Sequence, residues 1–154
     1  MSKNIELYNR KLNFVLPETY SEATAEDMKK LPILSSKMDH VFISDHGKSF
    51  VTVNCNGEEL KPEEIENRIQ YYYNIYRRIS PGFEATDIMR KDKNGFSACA
   101  FYFKSTTLTD DWYNLIVITQ IDNKETLLTM HCCMDMLFKE NTTFMNLVTS
   151  FEIV

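Results

Sequence analysis

The densest chemistry in this chain lies in the stretch TMHCCMDM at 129–136, where His131, Cys132, Cys133 and Asp135 stand within five residues. Thiolate, imidazole and carboxylate are metal ligands, and two neighbouring thiols could also form a redox pair. The preceding residues, ETLLTM, suggest that the stretch ends a strand. Alternation then puts Met130, Cys132 and Met134 on one face and His131, Cys133 and Asp135 on the other. The two thiols diverge, and a vicinal disulfide would need a strained ring. A Met/Cys/Met face could take Cu(I), but thioethers and a thiol on an inward face are also ordinary core filling. The opposite face offers three ligands where a closed zinc site needs four, and the remaining histidines are His40 and His46. Two readings stand: a structural corner without metal or cofactor, and a thiol- or metal-binding strand end using His131, Cys132 and Cys133.

Other reactive groups are more scattered. His40, Asp45, His46 and Cys55 could in principle assemble a Cys/His nucleophile, but no motif surrounds the thiol, and all four fall in or beside a hairpin. NCNGEE has a lone glycine and cannot cradle phosphate. The acids Glu58, Glu59, Glu63, Glu64 and Glu66 could attract a cation or a basic partner, or simply form a solvated face at a helix start. YYYNIY at 71–76 is more informative. Tyr71 falls on the outward side of its helix with Asn67 and Arg78, and an exposed aromatic beside arginine is the composition of an interface. Phe83 and Tyr102, beside strand ends, are weaker candidates of the same kind.

The elements that must position these residues can be read in order. NIELYNRKLNFVLPETY alternates through Leu12, Phe14 and Leu16 and stops at Pro17: a strand, then a loop. TAEDMKKL has Thr24 with Asp27 three positions on, a capping box, and a short helix ends at Leu31-Pro32. HVFIS and SFVTVNC flank the turn DHG, so 41–55 is a hairpin. KPEEIENRIQYYYNIYRRIS has Pro62 and acids at its start and Arg77-Arg78 at its end. Ile65, Ile69, Tyr72, Tyr76 and Ile79 form its inward arc. FEATDIMRKD, FSACAFYFKS, WYNLIVITQI and ETLLTMHCC follow as an antiparallel meander joined by short turns. Its later strands are apolar on both alternations (Tyr113/Leu115/Val117 and Trp112/Ile116/Ile118), so the sheet is covered on both faces. NTTFMNLVTSFEIV, capped near 141–143, closes the second face as a helix with Phe144, Leu147, Val148 and Phe151 inward.

Composition bounds the rest. With 154 residues, 44% hydrophobic and 25% charged, the sequence fits a single domain over 1–154. A net charge of −5 argues against nucleic acid as a partner, since phosphate binding needs a basic face. No apolar run approaches the roughly 18 residues of a membrane span, and the first residues lack the core of a signal peptide. Four cysteines at neither disulfide-framework nor zinc spacing fit a reducing compartment, and a cytoplasmic location is expected.

LNFVLPETY, DWYNLIVITQIDNKETLLTMHC and FMNLVTSFEI, at the joints of this element order, resemble the PsbP-like superfamily of αβα sandwiches, and within it the small bacterial DcrB-like proteins. Phe14, Pro17 and Tyr20 match the F-x-x-P-x-x-[WY] opening of that group, and the resemblance spans nearly the whole chain. It implies an α+β fold: an αβα sandwich around a central antiparallel sheet. Members of the fold are photosystem extrinsic subunits, a Ran-binding nucleotide-release factor, envelope lipoproteins and chaperones of secreted effectors. They share a binding surface rather than a reaction. The resemblance therefore implies a non-enzymatic interaction module (adaptor, chaperone or accessory subunit) with a protein partner, self-association included, reached through a sheet edge or the outer face of the long helix. The lipoprotein members' signal and lipobox cysteine have no counterpart here.

Overall fold

A computed structural model describes residues 1–31, 38–55 and 57–154. Pro32, expected to end the first helix, and Asn56 of the NCNGEE loop lie outside them. The opening segment folds as two strands rather than one, β1 (Ser2–Leu7) and β2 (Leu12–Pro17), paired antiparallel with Ile5 opposite Phe14. The reversal between them uses Tyr8, Asn9 and Arg10, all at positive φ (54°, 57° and 67°). Only asparagine among these favours that region, so the turn carries no glycine signature in sequence.

Next come β3 (Tyr20–Glu22) and α1 (Ala25–Lys30), where the Thr24–Asp27 capping box forms as expected. The hairpin follows as β4 (His40–Ser44) and β5 (Ser49–Asn54), turning at Gly47 with φ 75°. A 3₁₀ turn at Pro62–Glu64 leads into α2 (Ile65–Ile79). The expected FEATDIMRKD strand is broken into β6 (Glu84–Ala85) and β7 (Met89–Lys93), which lie along β8 (Phe96–Thr106) at its two ends. The meander continues through β9 (Asp111–Ile121) and β10 (Lys124–Cys133). A 3₁₀ turn at Met134–Met136 then opens α3 (Leu137–Ser150), and β11 (Glu152–Ile153) pairs with β2.

The closing helix thus begins four residues before Asn141, and Phe151 lies beyond its end. Its N-cap, Met136, makes no side-chain capping bond, so nothing in the sequence marks the start.

The large sheet runs β3-β4-β5-β10-β9-β8-β6, with β7 also on β8, and every recorded pairing is antiparallel. Both faces are covered. On one, α2 lies over Cys99, Phe101, Phe103, Ile116 and Ile118, and Leu31 beside α1 joins Val41, Ile43 and Phe50. On the other, α3 and the small sheet β1-β2-β11 cover Ala98, Ala100, Leu115, Val117, Leu128 and Met130. The fold is the expected α+β sandwich. Among the described residues no helix is long and apolar enough to cross a membrane.

Candidate functional site

Helix α2 is built to present one face outward. Pro62 opens the 3₁₀ turn that leads into it, where its missing N–H leaves no helical bond unmade, and the Lys61 N–H donates to Glu64 Oε1 at 3.0 Å. Ile65 and Ile69 are fully buried against the sheet. Tyr76 lies 5.0 Å from the Phe103 ring and Tyr73 5.0 Å from Phe101. Ile79, expected inward, is instead 66% exposed. Phe83 returns after Gly82 to cover Phe103 at 5.2 Å and Tyr73 at 5.4 Å, so the sheet surface at that end is already occupied. Phe83 is therefore a packing residue, as is Tyr102, which stacks on Tyr113 at 5.4 Å.

Tyr71, Asn67 and Arg78 are all exposed, in one stripe along the helix. Tyr71 is 58% exposed, with its ring against the edge of Tyr72 at 5.8 Å. It forms a wall of a cleft of about 430 Å³ shared with Gly57, Glu58, Arg68, Tyr72 and Glu125. The floor is an ion pair that sequence reasoning missed. Glu125, near the start of β10, is buried, accepting from Arg68 Nη1 at 2.6 Å and from the Tyr72 hydroxyl at 2.9 Å. Burial, then the Glu125 carboxylate, raises the Tyr72 pKa, so the phenol stays a donor. Bonding to Glu125 raises that of Arg68 as well. Gly57 permits the approach, since a Cβ there would stand 2.8 Å from the Glu125 side chain.

The sulfur-rich corner is built differently. His131 is buried on the same sheet face as α2, with Nδ1 2.7 Å from Asn114 Oδ1 and Nε2 2.9 Å from Thr129 Oγ1. Asn114 uses its amide hydrogens on Phe103 O and Ser105 Oγ, so its oxygen accepts and His131 Nδ1 donates. Nε2 then accepts from Thr129, whose oxygen is bonded to Thr52. Burial lowers the His131 pKa to about 3, so the imidazole is neutral and both nitrogens are engaged within the sheet. Cys132 and Cys133 are buried free thiols, pushed up to about 12 and about 11, chiefly by burial.

The strand stops at Cys133, so alternation does not extend to Met134 and Asp135 as the sequence suggested. Asp135 sits in the 3₁₀ turn, bonded to Lys48 Nζ at 2.8 Å. Among the described residues no three His, Cys, Asp or Glu side chains converge as a metal would require.

Strand order, helix placement and the β10-to-α3 corner together define a topology that can be compared with solved structures. In sequence the chain matches no protein-family model and no curated protein. In structure it resembles cyanobacterial PsbP from Synechocystis, with TM-score 0.62 and 12% identity over 99% of this chain and 92% of that one. The Ran-binding protein Mog1p of Saccharomyces cerevisiae gives 0.58 at 9% identity, over 100% and 96% of the two chains. LpqN of Mycobacterium tuberculosis, involved in cell envelope biogenesis, gives 0.55 at 10%, over 100% and 91%. The chain has a PsbP-like fold.

Within this PsbP-like fold the remaining reactive groups each have other neighbours. His40 stacks on Phe42 and meets Tyr8 edge-on, Cys55 Sγ lies 3.1 Å from Thr126 Oγ1, and His46 is at the far end of β4. His46 Nε2 instead lies 2.8 Å from Glu140 Oε1 of α3. Glu140 also accepts from the Tyr20 hydroxyl at 2.9 Å, and Tyr20 meets Ser49 at 2.6 Å. Sequence separations of 94 and 120 residues hid this cluster, which ties the hairpin turn and β3 to α3.

Proposed function

We propose that this protein is a non-enzymatic interaction module, an adaptor, chaperone or accessory subunit, that holds a protein partner on the outer face of α2 around Tyr71. The observation that carries this reading is Tyr71 itself: a large aromatic, mostly exposed, on a helix anchored by Ile65, Ile69, Tyr73 and Tyr76, overlooking the Arg68–Glu125 cleft. A ring fixed by its helix and by Tyr72 loses little freedom on binding, and aromatic and arginine side chains are the usual anchors of interfaces. Asn67 and Arg78 would supply the polar rim. The Ran-binding activity of Mog1p supports the reading by analogy of fold alone. The engagement of His131, Glu125 and His46 in internal bonds supports it from the side of chemistry, because these three groups already have partners within the fold. A bacterial source and a cytoplasmic setting belong to the same proposal, the latter supported by four free cysteines.

A photoreactive phenylalanine analogue at position 71, introduced in native cells, tests it. One discrete protein adduct is expected, absent when Arg78→Glu is added and the circular dichroism is unchanged. No adduct at Tyr71, or the same adducts from an analogue placed at the fully exposed Leu108, overturns the reading.

A further inference from the structure

The face of the sheet away from α2 contains a cavity that the interaction surface does not use. Along β8 the side chains facing α3 run large, small, small, large: Phe96, Ala98, Ala100, Tyr102. The two large residues act as pillars. Phe96 meets Phe151, just beyond α3, at 6.1 Å, and Tyr102 meets Phe144 of α3 at 5.9 Å. Between the pillars the helix passes over two alanines, and its Leu147 and Val148 do not reach the sheet closely enough to fill the space. A pocket of about 220 Å³, partly open to solvent at the edge strand, remains, floored by Ala98, Ala100, Val117 and Leu128. Register places Ala100 between Met89 on β7 and Val117 on β9, so the floor continues outward to the partly exposed Met89 on the edge strand.

The cations at this edge are already bound. Lys91, opposite Ala98, donates to the carbonyls of Val148, Thr149 and Phe151 at 3.0, 3.1 and 2.8 Å, which uses all three ammonium hydrogens and caps the end of α3. Arg90 is held by Asp92, Glu66 and Ser97. The interior therefore offers a ligand carbon contacts and no free charge. An enclosed aliphatic cavity of roughly 150 Å³ is enough to bind benzene; here the lining is equally apolar, the volume larger and one side open, which gives a ligand both contacts and a way in.

We propose that the space between α3 and β7–β10 is a binding site for a small uncharged apolar molecule of single-ring size, entering past Met89. The flexible thioether is suited to an entrance because it can change rotamer at little cost. The site lies across the sheet from Tyr71, so its occupancy and the partner surface can fail independently.

The test is a titration of the full chain, methyl-labelled at Met, Leu and Val, with benzene, and with benzoate as the charged counterpart. Saturable shifts confined to Met89, Val117, Leu128, Leu147 and Val148 are expected, with benzoate at least about tenfold weaker because its charge would have to be desolvated. Ala100→Leu, which fills the floor, should abolish the shifts while the spectrum stays folded. Should that variant not fold, Ala98→Val serves in its place, with an expected loss of about tenfold in affinity. No shift at these methyls up to the solubility of benzene, equal binding of benzoate, or undiminished binding by the filled variant overturns the proposal.

Discussion

The two faces of one strand pack in opposite ways. Toward α2, β8 presents Cys99, Phe101 and Phe103, and these rings meet Tyr73, Tyr76 and Phe83 in a continuous aromatic layer. Toward α3 the alternate residues Ala98 and Ala100 leave a cavity bridged by a helix. A single period-2 pattern produces both, because adjacent residues of a strand belong to different cores. The contrast separates what each face can do. The filled face makes a rigid platform for exposed side chains such as Tyr71, and the unfilled one leaves internal room.

Emptying the filled face should have the largest effect. Phe101 is fully buried, with Tyr73, Tyr76 and Phe103 around it. Phe101→Ala should cost about 3–5 kcal/mol in urea denaturation, the usual range for a large-to-small change in a core with limited room to collapse. A loss below about 1 kcal/mol would mean that this layer is as loosely packed as the other and that the comparison is wrong.

Next in size is the ion pair at the edge of that layer. Removing one member of a buried pair leaves the other uncompensated, at roughly 3–5 kcal/mol for full burial. Arg68 retains 21% of its side-chain exposure and can reach water, so Glu125→Ala should cost less, about 2 kcal/mol. Loss of Tyr71 cross-linking in the same variant would show that the cleft floor also holds the outer surface in place.

The polar ladder through His131 predicts a pH dependence with a definite sign. Its folded pKa, about 3, lies below the ordinary value of 6.5, so the unfolded chain binds more protons between those limits. Stability contributed by neutral His131 is complete above about pH 6.5 and falls by up to about 1.4 kcal/mol per unit as the pH drops toward 3. In His131→Gln, which keeps a donor and an acceptor but cannot titrate, that slope should be absent from urea midpoints between pH 6 and 4. An unchanged slope would assign the acid sensitivity to other groups, foremost the carboxyls of Asp27, Asp92 and Asp135, which their hydrogen-bond partners hold below the usual range.

These effects differ in how far the sequence exposed them. The limits of α2, the β4–β5 hairpin and the two-faced β9 are local patterns, written in Pro62, Gly47 and alternating apolar residues, and they formed as read, except that Ile79 in the last turn of α2 points outward. Tyr71 was legible for the same reason, since helical spacing alone excluded it from the buried arc. The start of α3 was not legible because Met136 caps nothing, and the β1–β2 reversal was hidden because three residues without glycine take positive φ. The Arg68–Glu125 pair and the His131 ladder depend on register between segments distant in the chain. No local pattern carries register, so His131 looked like a ligand when its two nitrogens were already committed to Asn114 and Thr129.

The smallest expected change is also the one that reverses sign. Ala100 is the neighbour of Phe101, and Ala100→Leu adds three carbons on the side where the structure has space. Each buried methylene is worth about 0.8 kcal/mol, but the leucine must give up rotamer freedom and fit beneath Leu147 without moving α3. A net stabilisation of about 0.5–1 kcal/mol at an unchanged m-value is expected, against the large loss from Phe101→Ala one position along the chain. Destabilisation by Ala100→Leu would mean that α3 already rests closely on the alanines, and the two faces of β8 would then differ in residue size without differing in packing.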